Sequence, residues 1–233
     1  MARVFMVTGG KGGVGKSMTS IALLDYLEIK ERKVTLVETD SSNPDVGKAY
    51  QKNVKGFSLV NLDENDGWLD LLDIIEAAKT PEIVINTAAR NTEGIARNGE
   101  MFDEQLAQLN FPVISLFVIN NQRDSVEILD DYEKIMTRGA IHVVRNQFFG
   151  QSAAQFEIYN QSELRRRIED RRGKVFDLPR LANRVTDMVQ SKRLTLETAW
   201  KEARLGSKAE IERWRRVCAT NIFDEVCADG DAE

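Results

Sequence analysis

Short apolar runs alternate along the chain with longer segments in which apolar residues recur at helical spacing. Six runs rich in β-branched residues predict strands, namely Arg3–Thr8, Lys33–Glu38, Glu82–Asn86, Val113–Asn120, Ala140–Asn146 and Lys174–Leu178. Because these runs are almost continuously apolar, they are typical of strands buried on both faces. Strands that alternate with helices favour an α/β fold. We predict a doubly wound, mostly parallel sheet of about seven strands with helices on both faces.

Helical spacing occurs in five segments between or after these strands: residues 17–30, 67–79, 98–110, 124–136 and 180–190. Pro81 and Pro112 follow two of these segments and mark their ends. The residues from Leu194 onward also have a helical pattern. We therefore predict one domain over residues 1–233, with residues 194–233 as a helical extension packed on it. The acidic tail that begins at Cys227 is expected to fray.

The composition is that of an ordinary globular protein, with 42% hydrophobic and 30% charged residues in 233. A formal net charge of −5 argues against a global attraction to nucleic acid, although a local basic patch is compatible with it.

Cys218 and Cys227 fit neither a zinc nor a redox spacing, and so few cysteines suit a reducing cytosol. The chain contains no apolar stretch long enough for a membrane span, and the apolar run near its N-terminus is too short for a signal peptide. These features predict a cytoplasmic protein without a membrane partner.

A glycine-rich stretch directly follows the first predicted strand. Residues 10–17, GKGGVGKS, fit the pattern G-x-x-x-x-G-K-[ST] between a strand and a helix. Glycines allow positive φ and a close approach to a ligand, so that successive N–H groups form a nest for an anion beside the helix N-terminus. Lys16 would contact the β- and γ-phosphates, and Ser17 would offer a hydroxyl to Mg²⁺. The alternative is a glycine-rich turn without a ligand. The predicted nucleotide-binding stretch is Gly12, Gly13, Val14, Gly15, Lys16, Ser17 and Met18.

The same stretch contains a second lysine, Lys11, five positions before Lys16. It resembles the deviant Walker A motif of the ParA/MinD superfamily, which includes partition ATPases, division-site ATPases and the nitrogenase iron protein. The resemblance implies ATP and Mg²⁺ as cofactors. It also implies that Lys11 reaches across an ATP-dependent homodimer to the partner's phosphates, where a cation would stabilise the charge of phosphoryl transfer. The alternative is a solvated loop lysine.

The family has acidic residues at two further sites, and this sequence keeps the acids at one of them but not at the other. The family's D-x-D reads Glu38-Thr39-Asp40, and the resemblance implies that Asp40 helps to hold the attacking water and the Mg²⁺ shell. A pair of acids that caps a loop is the alternative. The Walker B position, normally Asp, is Asn86, which keeps an acceptor oxygen but loses the charge. This departure predicts weak Mg²⁺ binding, slow hydrolysis, or transfer of metal binding to Glu38 and Asp40.

Later positions resemble the base-binding side of the family. Asn146 ends a late strand, where an amide with both a donor and an acceptor would read the adenine edge. Pro179 lies in the loop that is placed against the base in relatives. Asn146 could instead be an ordinary turn residue. Arg123 and Asp124 open a helix and could cross the dimer seam or simply cap that helix.

A basic cluster, Arg165–Arg172, could bind DNA nonspecifically or contact an acidic partner. Interleaved acids make a solvated face with salt bridges at helical spacing the alternative. If the segment is helical throughout, Arg165 and Arg172 share a face.

The leading hypothesis is a slow ATPase whose dimerisation switch acts in plasmid partition or conjugation. The sequence is most similar to the compact StbB/TraL group. A DNA-binding adaptor protein would supply specificity, with nucleoid association as a consequence. A metabolic phosphotransferase similar to dethiobiotin synthetase and a nucleotide-binding regulator with little hydrolysis are the alternatives. An iron–sulfur carrier is excluded, because it needs cysteines in the middle of the chain.

Overall fold

The computed structural model describes residues 2–228, in which seven parallel strands form one sheet. The strands are β1 (Arg3–Thr8), β2 (Val34–Glu38), β3 (Gly56–Leu59), β4 (Glu82–Asn86), β5 (Val113–Ile119), β6 (Ala140–Asn146) and β7 (Val175–Leu178). Their order across the sheet is β3-β2-β4-β1-β5-β6-β7. β1 therefore lies in the centre, where the chain crosses from one half of the sheet to the other. Ligands in such sheets bind at the carboxyl ends of the strands near this crossover.

Eleven α-helices connect and flank these strands in the described part of the chain. They are α1 (Lys16–Ile29), α2 (Asp45–Tyr50), α3 (Asn65–Ala77), α4 (Thr92–Gln108), α5 (Arg123–Ile135), α6 (Glu157–Asn160), α7 (Glu163–Asp170), α8 (Asn183–Lys192), α9 (Leu196–Glu202), α10 (Leu205–Cys218) and α11 (Asp224–Val226). Short 3₁₀-helices span Ala89–Asn91 and Ala153–Phe156, and a π-helix spans Ala219–Phe223. Among the described residues, none of these helices is both long and apolar enough to cross a bilayer.

The sheet is covered on both faces, and successive residues of β1 point into different cores. Phe5 and Val7 pack with α1, α2 and the C-terminal helices, whereas Val4 and Met6 pack with α3, α4 and α5. All six residues of β1 are buried. This arrangement explains the uninterrupted apolar runs in the sequence, and it confirms the predicted doubly wound α/β fold.

The sequence pattern predicts six of the seven strands to within one residue and misses β3. This strand, GFSL, is only four residues long and lies at the edge of the sheet, where its residues are half-buried or exposed. An edge strand needs no continuous apolar run, so its pattern is weak. The helix α2 that precedes β3 is also missed, because its six residues are too few to show a helical pattern.

The C-terminal helices pack against α1, the helix that follows the glycine loop. Trp214 is buried, and its indole N–H donates to the carbonyl of Pro179 at 2.7 Å. Arg215 forms a two-point ion pair with the buried Asp25 of α1, at 2.9 and 2.6 Å. The part of the helical extension that the structure describes is thus joined to α1 through both apolar and ionic contacts. The acidic tail was predicted to fray from Cys227, but Cys227 is buried and its N–H donates to the carbonyl of Phe223 at 2.9 Å. Residues 229–233 of the tail lie outside the described residues.

We expect Arg215→Ala to lower the free energy of unfolding by about 3 kcal/mol, because it leaves the Asp25 carboxylate buried without its partner. Denaturant unfolding measures this change. Arg166→Ala is the matched control: its ion pair with Glu163 is exposed at 73% and 79%, so its removal should cost less than about 1 kcal/mol. Equal effects of the two substitutions would contradict the prediction.

Candidate functional site

A cleft of about 590 Å³ opens at the carboxyl ends of the strands. The glycine loop, the ends of β2, β4, β6 and β7, and helix α8 line it. Nine of the predicted site residues meet at its wall: Gly12, Gly13, Gly15, Lys16, Ser17, Met18, Asp40, Asn146 and Pro179. Of the remaining two, Val14 is buried in the core and the Lys11 side chain lies half exposed to solvent.

Two positions of the glycine loop have a backbone conformation that disfavours any residue with a side chain. Gly13 and Gly15 have φ of 78° and 113°, a region that disfavours L side chains. A Cβ added at Gly15 would lie 2.2 Å from Nδ2 of Asn146, whereas one at Gly13 would meet nothing within 4 Å. Gly13 is thus required by conformation and Gly15 by both conformation and space. The loop leads into the N-terminus of α1, an arrangement suited to an anion.

Lys16 is the buried cation of the cleft, with 7% of its surface exposed. Its Nζ donates to the backbone carbonyl of Lys11 at 2.8 Å. Burial lowers the pKa of Lys16 to about 8, and the charge of Asp40 opposes this shift. A phosphate at the loop would stabilise the ammonium form far better than a carbonyl does.

Lys11 forms an ion pair with Asp124 at the start of α5. The hydrogen bond from Lys11 lowers the pKa of the Asp124 carboxyl, whose side chain is 30% exposed. The family resemblance implies a role across the dimer for Lys11, and the sequence leaves Asp124 open between the dimer seam and a helix cap. They lie together at the rim of the cleft, and their role across a dimer stays a prediction.

Asn86 ends β4 next to the buried carboxylate of Glu38. Its Nδ2 donates to Glu38 Oε1 at 2.8 Å, and the Ser20 hydroxyl donates to its Oδ1 at 2.8 Å. Burial raises the pKa of Glu38, and the hydrogen bonds that its carboxylate accepts oppose that shift. Glu38 is fully buried and engaged by these donors, so the structure does not favour the predicted transfer of metal binding to it.

Asp40 lies on the cleft wall in the loop after β2. Its Oδ1 accepts hydrogen bonds from the Ser42 hydroxyl at 2.7 Å and from the Asn43 N–H at 3.0 Å. Partial burial alone would raise the pKa of Asp40, but these bonds and the charge of Arg90 outweigh burial and lower it. Asp40 therefore presents a carboxylate to the cleft, as a metal-shell or water-holding residue requires.

Arg90 is a residue of this region that the sequence analysis missed. It follows β4 and donates to the hydroxyls of Ser41 and Ser42 at 2.8 and 2.6 Å. It also pairs with Asp63 and lies 3.8 Å from Asp40. Its partners come from two other loops, so no local sequence pattern indicates this bridge.

Asn146 supports the glycine loop directly. Its Nδ2 donates to the carbonyl of Val14 at 2.8 Å, and its Oδ1 accepts from the N–H of Phe148 at 3.0 Å. The predicted contact of Asn146 with adenine is thus accompanied by a structural role, and the contact itself stays a prediction. The carbonyl of Pro179 is taken by Trp214.

The cleft wall also contains a cation–π pair that no sequence pattern predicts. The Arg180 guanidinium lies over the exposed ring of Phe148, 5.2 Å from its centroid, and both residues line the cleft. Such a pair offers a flat surface on which a planar ring could stack.

The basic cluster Arg165–Arg172 is mostly paired with carboxylates. Arg165 pairs with Glu169 at helical spacing, and Arg166 pairs with Glu163. Arg167 and Arg171 reach carboxylates of α5, with Glu133 as their shared partner. This pairing agrees with the salt-bridged alternative.

The predicted common face of Arg165 and Arg172 is wrong, because α7 ends at Asp170. Arg172 takes a left-handed conformation with φ of 62°, which is incompatible with continuation of the helix.

The parallel sheet, the glycine loop at its central crossover and the buried lysine define a phosphate-binding α/β domain of the P-loop class. The chain belongs to the family described as the CobQ/CobB/MinD/ParA nucleotide binding domain, which matches residues 5–191.

Two relatives with curated names and one solved structure are similar to the chain. The chain is 43% identical to protein MobD of Acidithiobacillus ferrooxidans over 91% of this chain and 92% of MobD. It is 31% identical to protein TraL of Escherichia coli over 38% of this chain and 37% of TraL. Among solved structures, a plasmid partition protein of Borrelia burgdorferi B31 bound to AMPPNP has a TM-score of 0.58 at 16% identity, covering 98% of this chain and 99% of that one. That likeness confirms the fold.

We expect the affinity for ADP to fall about tenfold between pH 7 and pH 9. The Lys16 ammonium is charged below its pKa of about 8, so binding at higher pH must also take up a proton. Calorimetric titration at several pH values measures this change. Lys11→Ala should keep the same pH dependence, because it leaves Lys16 unchanged. A constant affinity across this range would contradict the assigned role of Lys16.

Proposed function

We propose that the protein is an ATP-dependent dimerisation switch with slow ATPase activity, acting in plasmid mobilisation or partition. The observation that carries this proposal is the convergence of the glycine loop, the buried Lys16 and the carboxylate of Asp40 on one cleft. Membership of the nucleotide-binding family supports ATP as the ligand. The sequence relatives support the plasmid context.

The residues of the cleft fit a nucleotide with a divalent cation. The open backbone at Gly13 provides a cradle that no side chain fills. The hydroxyl of Ser17 and the carboxylate of Asp40 both line the cleft, and they are hard oxygen donors of the kind that Mg²⁺ prefers. Mg²⁺ held by Ser17 and Asp40 would supply neutralising charge to the phosphates. Lys16 would add a second positive charge at the β- and γ-phosphates, and Asp40 would orient the attacking water.

The proposed dimer depends on Lys11. In the single chain its ammonium pairs with Asp124 at the rim of the cleft, with half of its side chain exposed. A phosphate group with several negative charges would compete for that ammonium. In a sandwich dimer, Lys11 would stabilise the phosphates of the partner and the charge that develops during transfer.

We assign contact with DNA to a separate adaptor protein. Four arginines of the basic cluster, three on α7 and Arg171 just after it, are paired with carboxylates of α5 and α7. Neutralised cations release few counterions and contribute little to binding phosphate backbones. The proposal places the protein in the cytoplasm, with nucleoid association only through that adaptor.

The first test is solution mass by light scattering, without nucleotide, with ADP–Mg²⁺ and with ATP–Mg²⁺. We expect dimers only with ATP–Mg²⁺, and we expect Lys11→Ala to remain monomeric while still binding ATP. The physical reason is that the dimer lacks the cation supplied in trans. Arg166→Ala, which removes an exposed cation from α7, is the control and should dimerise normally.

If the protein remains monomeric with ATP bound, the switch is excluded. Phosphate transfer to an added metabolite would then indicate the phosphotransferase on this scaffold. ATP binding and dimerisation with negligible turnover would instead indicate a nucleotide-binding regulator, in agreement with the neutral Asn86.

A further inference from the structure

The buried carboxylate of Glu38 joins three separate segments at the carboxyl edge of the sheet. Its Oε1 accepts from Asn86 Nδ2 at 2.8 Å and from the backbone N–H of Asp40 at 3.1 Å. Its Oε2 accepts from the backbone N–H of Gly47 at 3.1 Å. A carboxylate is the one side-chain group that accepts from all three donors without presenting a donor of its own.

The bond to Gly47 anchors the first turn of α2. The N–H groups of a first helical turn have no partner within the helix, and a negative charge there is favourable. Gly47 allows the approach, because an added Cβ would lie 3.4 Å from Glu38 Cβ and 2.9 Å from the ring of Phe57. Glu38 therefore holds both ends of the loop that carries Asp40.

The neutral residue at position 86 is matched to this carboxylate. An aspartate there would place a second buried carboxylate at hydrogen-bond distance from Glu38, where two like charges strongly disfavour each other. The amide of Asn86 instead donates to Glu38 and accepts from Ser20. Through Ser20 the same chain of bonds reaches α1, the helix that begins at the glycine loop.

We propose that Glu38 is a positioning residue that fixes the Asp40 loop and the Asn86 amide at the cleft. At this edge the end of β2 carries a buried acid, and the end of β4 carries the neutral amide that is bonded to it. The inference rests on the proposed function for its link to hydrolysis, but its structural part can be tested without nucleotide.

The experiment compares Glu38→Gln, Asn86→Asp and the double variant with the wild-type protein. Asp103→Asn is the matched control: Asp103 is another buried carboxylate, and it accepts from the backbone N–H groups of Thr137 and Arg138 at 2.8 Å, away from the cleft. Amide hydrogen exchange followed by NMR in the nucleotide-free protein reports the hold on Asp40 and Gly47. Steady-state hydrolysis and ATP binding are measured in parallel.

In Glu38→Gln, we expect the Gly47 amide to exchange at least about tenfold faster, because the new NH₂ group cannot accept its hydrogen bond. Turnover should fall about tenfold or more, with ATP affinity within about threefold of wild type, since the glycine loop is untouched. Asp103→Asn should change neither Gly47 exchange nor turnover.

The double variant separates pairing from general damage to the fold. In the variant that combines Glu38→Gln with Asn86→Asp, residue 38 becomes the donor and residue 86 the acceptor of the bond between them. The Ser20 hydroxyl can still donate to residue 86. We expect turnover at least about threefold above that of either single variant, a non-additivity typical of residues in direct contact.

Unchanged exchange at Asp40 and Gly47 in Glu38→Gln would overturn the inference. Faster exchange with wild-type turnover would also overturn it, since the loop would then be held without consequence for the reaction. If the wild-type protein neither hydrolyses ATP nor dimerises, the proposed function fails. Hydrogen exchange then still decides whether Glu38 holds the loop.

Discussion

The close approach of the glycine loop to the ends of its neighbouring elements is the constraint on which the site depends. A Cβ at Gly9 would lie 2.6 Å from the carbonyl of Val118, and one at Gly10 would lie 2.6 Å from the side chain of Ile128. At Gly15 the obstacle is Asn146. The loop thus packs tightly against β5, α5 and β6 at Gly9, Gly10 and Gly15, and these three positions leave no room for a side chain. Since α1 begins at Lys16, this packing also fixes the position of the helix that organises one face of the sheet.

Two buried charged residues, Lys16 and Asp25, belong to α1, and a third, Glu38, is connected to it through Asn86 and Ser20. The partners of these three residues differ, and the difference separates ligand binding from structural support. Asp25 is matched by the guanidinium of Arg215, and Glu38 is matched by three hydrogen-bond donors. Lys16 has a backbone carbonyl as its hydrogen-bond partner, which leaves its charge poorly compensated. A ligand that brings negative charge to the cleft therefore gains most from Lys16. The buried acids, by contrast, are already satisfied by the fold.

The sequence predicts those features that a local pattern encodes. The central strands are continuous apolar runs, and the glycine loop is a contiguous motif, so both can be located before the structure is known. Arg90 and the Phe148–Arg180 pair join segments that are distant in the sequence, and no spacing rule indicates them. The basic cluster contains one predictable and one unpredictable kind of ion pair. Arg165 and Glu169 pair at helical spacing, whereas Arg167 pairs with residues of α5, which are distant in the sequence.

The C-terminal helices bear on the site although most of them lie beyond the family match, which ends at residue 191. Trp214 of α10 lines the cleft and fixes the carbonyl of Pro179, and Arg215 of the same helix holds Asp25 of α1. One helix thus contacts the far wall of the cleft and the helix that begins at the glycine loop. A partner that displaced α10 would alter both at once, because buried ion pairs and packed aromatic rings do not stretch gradually. The contacts of α10 with both the cleft wall and α1 therefore come from residues that lie outside the family match.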